Sequence, residues 1–306
     1  MASLISPGIV IKERDLTAGV VGNSQAITAA FASTFAKGPV GEITTISSQA
    51  ELVETFGAPS AANAEDYFVA SEFLGYGGRL AVIRAETGTN SANSGANASL
   101  NVKNSVDWMS GLGTGESYVA KTPGEWGNSL RVIVADRGAD QIITLAGTPA
   151  SAPTPGGAVT FNLSGGGTAT AEVISFADPV LTVVLDDPTR LITTADELED
   201  GGTDIAVSSV ADWWSSTTVG GVALSSIGPR PGTSAYAAAR GIKYDEVHVA
   251  VVDSDGGISG TAGTVIERLL YLSKLTDGKG AENQATYYKA AINSGSEYIY
   301  HGTTVV

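Results

Sequence analysis

Gly75-Tyr76-Gly77-Gly78-Arg79-Leu80-Ala81-Val82-Ile83-Arg84 decides how the first part of the chain folds. Its glycines halt a helix, and the six residues after them have the length and β-branched content of a sheet strand. Upstream, Asn63 is a candidate N-cap for a helix with Tyr67, Phe68, Ala70 and Leu74 on its buried side. Earlier still, Ser48 and Glu51 have capping-box spacing ahead of Leu52, Val53 and Phe56. Leu52 and Phe56 share a face, and Gly57 and Pro59 stop that helix. The apolar run over residues 27–35, closed by Lys37-Gly38-Pro39, reads as a buried strand ending in a turn. The order strand, helix, helix, strand makes the two strands parallel neighbours.

Beyond residue 87 the texture changes to Gly, Ser, Thr, Ala and Asn, and residues 87–99 read as a surface loop. Leu130-Arg131-Val132-Ile133-Val134 is a strand candidate, as is Val159-Thr160-Phe161-Asn162-Leu163 with its period of two. Residues 171–174 and 180–185 add two more, so this zone is expected to form a small antiparallel sheet or barrel inserted into the main domain. Val247-His248-Val249-Ala250-Val251-Val252 is a strand that enters a tight turn at Asp253. Residues 264–275 fit a helix or a strand, with strand preferred. A short helix over 282–292 and a strand over 297–300 close the chain.

The fold expected is therefore α+β: a mixed sheet with flanking short helices plus an inserted, protruding small antiparallel β domain. Residues 1–20 read as an extended arm, because Pro7 biases Ser6 toward extended backbone and Ile9-Val10-Ile11 follow. Residues 21–137 and 229–306 form the two parts of the main domain, and residues 138–228 form the insertion, expected at the surface.

Composition narrows function. The 306 residues carry 32 acidic and 17 basic side chains, a formal charge of −15, which disfavours a nucleic-acid partner because phosphate binding needs a basic surface. No stretch reaches the roughly 18–20 apolar residues needed to cross a bilayer as a helix. With no cysteine there is no disulfide staple or thiol nucleophile. The two histidines are His248, within a strand pattern, and His301; neither has a partner at metal-ligand spacing.

Gly111-Leu112-Gly113-Thr114-Gly115 departs from G-x-G-x-x-G and reads as a turn. Asp253-Ser254-Asp255 opens like a calcium loop, but Gly257 and Thr264 stand where ligands belong. Asp196-Glu197-Leu198-Glu199-Asp200 reads as a solvated acidic run, and Trp213-Trp214 as core rather than a sugar platform.

Ser6-Pro7-Gly8-Ile9-Val10-Ile11-Lys12-Glu13 resembles the opening of tail sheath proteins of contractile-tailed phages, especially the T-even-like group and its cyanophage relatives. Lys37-Gly38-Pro39, Leu52-Val53-Glu54-Thr55-Phe56-Gly57, Asp66-Tyr67-Phe68 and residues 76–85 look like the same family, in the same order. Pro123-Gly124-Glu125-Trp126-Gly127-Asn128 and Gly295-Ser296-Glu297-Tyr298-Ile299 extend the likeness, while 88–120 and 138–228 match weakly.

The resemblance implies a structural subunit of a helical sleeve of stacked hexameric rings, which contracts to drive a tail tube through the host envelope. Implied partners are further copies of the chain, the tube protein, and baseplate and terminator proteins, without nucleic acid or membrane insertion. It implies no enzyme activity, catalytic residue, cofactor or metal. The place is the virion tail, after synthesis in the host cytoplasm. Ile9, Val10, Ile11 and Lys12 become the candidates for strand exchange between subunits. Such proteins continue into a tube-proximal C-terminal domain, which this sequence is expected to lack. The other readings are a carbohydrate-binding or adhesin-type virion surface module, and the sheath of a related bacteriocin or secretion machine.

Overall fold

The computed structural model describes residues 28–85, 101–111 and 116–302. Strand β1 (Thr28–Ser33), strand β2 (Ile43–Ile46), helix α1 (Gln49–Phe56), helix α2 (Ala64–Gly75) and strand β3 (Arg79–Arg84) build the first layer. β3 lies centrally, parallel to β1 and antiparallel to β2. The parallel pairing follows from the crossover through both helices; β2, a short Ile-Thr-Thr-Ile segment, is an addition to the expected pair. Phe35, Ile46, Leu52, Phe56, Tyr67, Leu74 and Val82 pack between helices and sheet.

The helix caps differ in detail from expectation. The Ser48 side chain accepts the Glu51 N–H, but the Glu51 carboxylate reaches back to the Ser47 N–H at 2.8 Å, one residue beyond the N-cap that a reciprocal box would use. Asn63 makes no side-chain cap; it accepts from Ser60 and donates to the Thr34 carbonyl, tying α2 to the end of β1. Phe68, expected on the buried side, is 56% exposed. Tyr67, Ala70 and Leu74 already fill the inward face of α2, and position 68 falls outside that stripe.

Helix α3 (Ser105–Met109) and strand β4 (Tyr118–Ala120) lead to strand β5 (Leu130–Ala135). Six strands then close a barrel: β6 (Gln141–Leu145), β7 (Ala158–Asn162), β8 (Thr168–Ala177), β9 (Val180–Leu185), β10 (Glu197–Leu198) and β11 (Ile205–Asp212). Along β8, Ala169, Ala171 and Val173 point inward while Thr168, Thr170 and Glu172 point outward, the period of two that a small barrel needs. Phe161, Ile143, Leu181, Ile192 and Leu198 fill the interior.

The chain returns through α4 (Trp213–Ser216), the hairpin β12 (Thr218–Val219) and β13 (Val222–Ala223), α5 (Leu224–Ile227) and α6 (Ala235–Ala238). Strand β14 (Glu246–Asp253) then pairs antiparallel with β5, so the barrel is inserted between two neighbouring strands of one sheet. Strand β15 (Thr264–Ser273) flanks β14 on the other side, resolving the ambiguous segment as strand.

β14 is buried on both faces. Ala250 and Val252 pack with Trp214, Leu224 and Ile227, while Val247, Val249 and Val251 face Tyr288, Ile292 and Ile299. Helix α7 (Tyr288–Gly295) begins later than the 282–292 expected, because Asn283 adopts φ +63 and Ala285 and Tyr287 form β-bridges to Lys279 and Ser273. Strand β16 (Ile299–His301) pairs with β4. The architecture is thus α+β, with mixed sheets, short helices and a small antiparallel barrel, as the sequence suggests.

Candidate assembly interface

Both edges of the first sheet are unguarded among the described residues. β1 is the terminal strand of its sheet, and its register with β3 runs unbroken from Thr28↔Arg79 to Ser33↔Arg84. Edge strands are normally blunted by charge, proline or a bulge; Thr-Ala-Ala-Phe-Ala-Ser has none of these. β2, on the opposite edge, is likewise neutral, with Ile43 70% exposed. β15 is guarded by contrast: it carries Glu267 and Arg268, and its register with β14 shifts twice. In the same layer, α2 leaves Phe68 and Val69 exposed, and its C-cap residue Tyr76 is exposed as well. Unpaired backbone donors and acceptors beside exposed apolar side chains are suited to binding protein, by strand addition and burial.

Buried carboxylates hold the loops rigid. Asp253, at the end of β14, accepts from Ser129 Oγ (2.7 Å), the N–H groups of Gly256, Ile258 and Ser259, and Ser259 Oγ. Burial pushes its pKa up, but the bonds from Ser259, Ser129 and Ile258 outweigh that and hold it well below the ordinary carboxylate range. Every acceptor position is spent on protein donors, which removes the calcium-loop reading. At the barrel base, Asp140 accepts the Leu185 N–H at 2.9 Å and pairs with Arg137 and Arg230, and Arg230 also pairs with Asp212.

The remaining candidates for chemistry serve the fold. His248 is fully buried; Nδ1 accepts the Tyr271 N–H at 3.0 Å, so Nε2, 2.7 Å from the Pro229 carbonyl, is the donor. Asp196 accepts the N–H groups of Ser164 and Thr193, and Asp200 that of Ala150, so the acidic run pins turns of the barrel. Trp214 is buried and donates its indole N–H to the Gly228 carbonyl, while Trp213 covers Gly138, where a Cβ would come within 2.2 Å of the ring. Of the 111–115 glycine run, residues 112–115 lie outside the described residues. Among the described residues no group of three His, Cys, Asp or Glu side chains could hold a metal ion, and no helix is long and apolar enough to cross a membrane.

His301 is 1% exposed, its ring packed edge-on against Tyr118 and Tyr288, with Nε2 lacking a partner. Burial lowers its pKa, and nearby Lys289 adds to this, against the raising effect of the Gly302 carbonyl at Nδ1. A folded value below the unfolded one, about 6.5, means that the stabilisation is fully present above pH 6.5 and lost as pH falls toward and through the folded value. Urea midpoints should therefore drop between neutral and mildly acidic pH, and His301→Phe should shrink that drop. An identical pH dependence in the variant would refute the assignment.

An 83-residue stretch, 27% of this chain, is 43% identical to the tail sheath protein of Enterobacteria phage T4. A 91-residue stretch, 30% of the chain, is 36% identical to the tail sheath protein of Vibrio phage KVP40. This chain is similar to phage tail sheath proteins. The matches span 12% and 13% of the lengths of those two curated relatives, so they concern a small part of each. No family model matches the chain.

Ile9, Val10, Ile11 and Lys12, the strand-exchange candidates, lie outside the described residues. The unguarded edges were missed from sequence. The signal for β1 was the lack of any charge across Thr28–Ser33, and β2 offered only two isoleucines around two threonines.

Proposed function

We propose that this chain is a non-enzymatic structural subunit of a contractile phage tail sheath, acting within the virion by polymerising with copies of itself. The single observation that carries this reading is the likeness to two phage tail sheath proteins; the neutral, unguarded edge of β1 supplies a physical means of assembly. Copies stack as hexameric rings around a tail tube. Each contact is heterologous and does not close, which generates a helix rather than a sealed oligomer. Residues 9–12 of one copy add as a strand to the sheet of a neighbour, and these links persist while rigid bodies rotate between two packings during contraction. The tube, the baseplate and the terminator are the other partners, and the barrel within 138–228 is the outward-protruding module.

Negative-stain microscopy of the complete gene product, alone and with its tube protein, tests the proposal. Striated tubes of uniform width are expected. A monodisperse particle at high concentration, with or without the tube, would contradict it.

A further inference from the structure

Arg84 closes β3 and is 3% exposed, which makes it the most buried cationic side chain of the first layer. A guanidinium carries five N–H donors. Nη1 donates to the carbonyls of Gly38 and Pro123, both at 2.7 Å. Among the described residues Nε and Nη2 have no hydrogen-bond partner, and no carboxylate lies within 4.0 Å of the group. Neither nitrogen is sealed off, since the buried polar atoms without partners include Trp126 Nε1 but no atom of Arg84. Arg84 and Trp126 line one cleft of about 380 Å³, with Phe35, Ser60 and Glu125.

A guanidinium this little exposed and with no carboxylate beside it is stabilised by an anion that reaches its free edge. The Nε and Nη2 edge is the side of the fork that accepts a carboxylate through two parallel bonds. We propose that this cleft is a carboxylate-binding site, with Arg84 Nε and Nη2 as the two-bond fork. Its source is an acidic side chain of a second copy, a chain with 32 acidic against 17 basic residues. The site is independent of the sheath reading, because a cleft that binds free acetate does so whatever larger structure forms.

The test follows the indole N–H resonance of Trp126, assigned by its absence in Trp126→Phe, while acetate replaces chloride at constant ionic strength. A saturable displacement is expected, retained in Glu125→Gln and weakened about tenfold in Arg84→Lys, which keeps charge but loses the fork. Should Arg84→Lys fail to fold, calorimetry on the unaltered protein replaces it, with saturable binding of acetate and none of chloride expected. The same displacement on concentrating acetate-free protein, reversed by acetate, identifies a second copy as the source. No displacement under either condition overturns the site. So does an equal response to chloride, or disappearance of the response in Glu125→Gln, which would mean that the chain's own glutamate fills the cleft.

Discussion

Phe56→Ala is expected to destabilise the protein by about 3–5 kcal/mol, seen as a fall in the urea midpoint with little change in slope. Phe56 is completely buried at the end of α1, its ring centroid 4.7 Å from that of Phe35. It also closes the turn before β2, where a Cβ at Gly38 would approach the ring to 2.7 Å. Truncation removes large aromatic burial and leaves a cavity bounded by helix, sheet and turn, which cannot all collapse into it. Phe68→Ala, on the exposed face of α2, is the control and should change stability by no more than about 0.5 kcal/mol. An unchanged midpoint for Phe56→Ala would remove Phe56 from the core.

Asp253→Ala is expected to cost a similar amount, about 3–5 kcal/mol, for a different reason. It removes the acceptor of the part-buried N–H groups of Gly256, Ile258 and Ser259 and of the hydroxyls of Ser129 and Ser259. The loop after β14 and the start of β5 would lose their shared anchor. Asp253→Asn should cost less, since one amide oxygen still accepts. Asp255→Ala, two residues on and exposed, should stay within about 0.5 kcal/mol. The folded pKa of Asp253 is depressed, so its contribution is present above the unfolded value of about 3.9 and lost as pH falls through the folded one. Chemical denaturation of the three variants decides this, and a loss below about 1 kcal/mol for Asp253→Ala would contradict the anchor.

What was legible in the sequence was local. The runs at Thr28–Ser33, Arg79–Arg84 and Glu246–Asp253 are apolar and bounded by glycine, proline or acidic turns, so their strands could be placed from the chain alone. Gln141–Leu145 and Ile205–Asp212 escaped notice because polar and small residues interrupt their pattern, and only barrel closure makes them strands. Phe68 was misplaced because α2 is apolar around much of its circumference, and periodicity could not say which aromatic faced the sheet. The sequence argues against a calcium loop at Asp253 but does not reveal its anchoring role, because its side-chain partner Ser129 lies 124 residues away. Arg84 gave no sign at all: a charged residue ending a strand is ordinary until the fold buries it.

The central claim is that this molecule works through strand pairing between identical copies, and a deletion reaches it most directly. The intact protein and a form lacking residues 1–20 should be compared by sedimentation velocity and electron microscopy under the same conditions. The account predicts long tubes from the intact protein and a folded, soluble monomer from the deletion, with its circular dichroism and urea midpoint preserved. Tubes of normal length and spacing from the deleted form would contradict it.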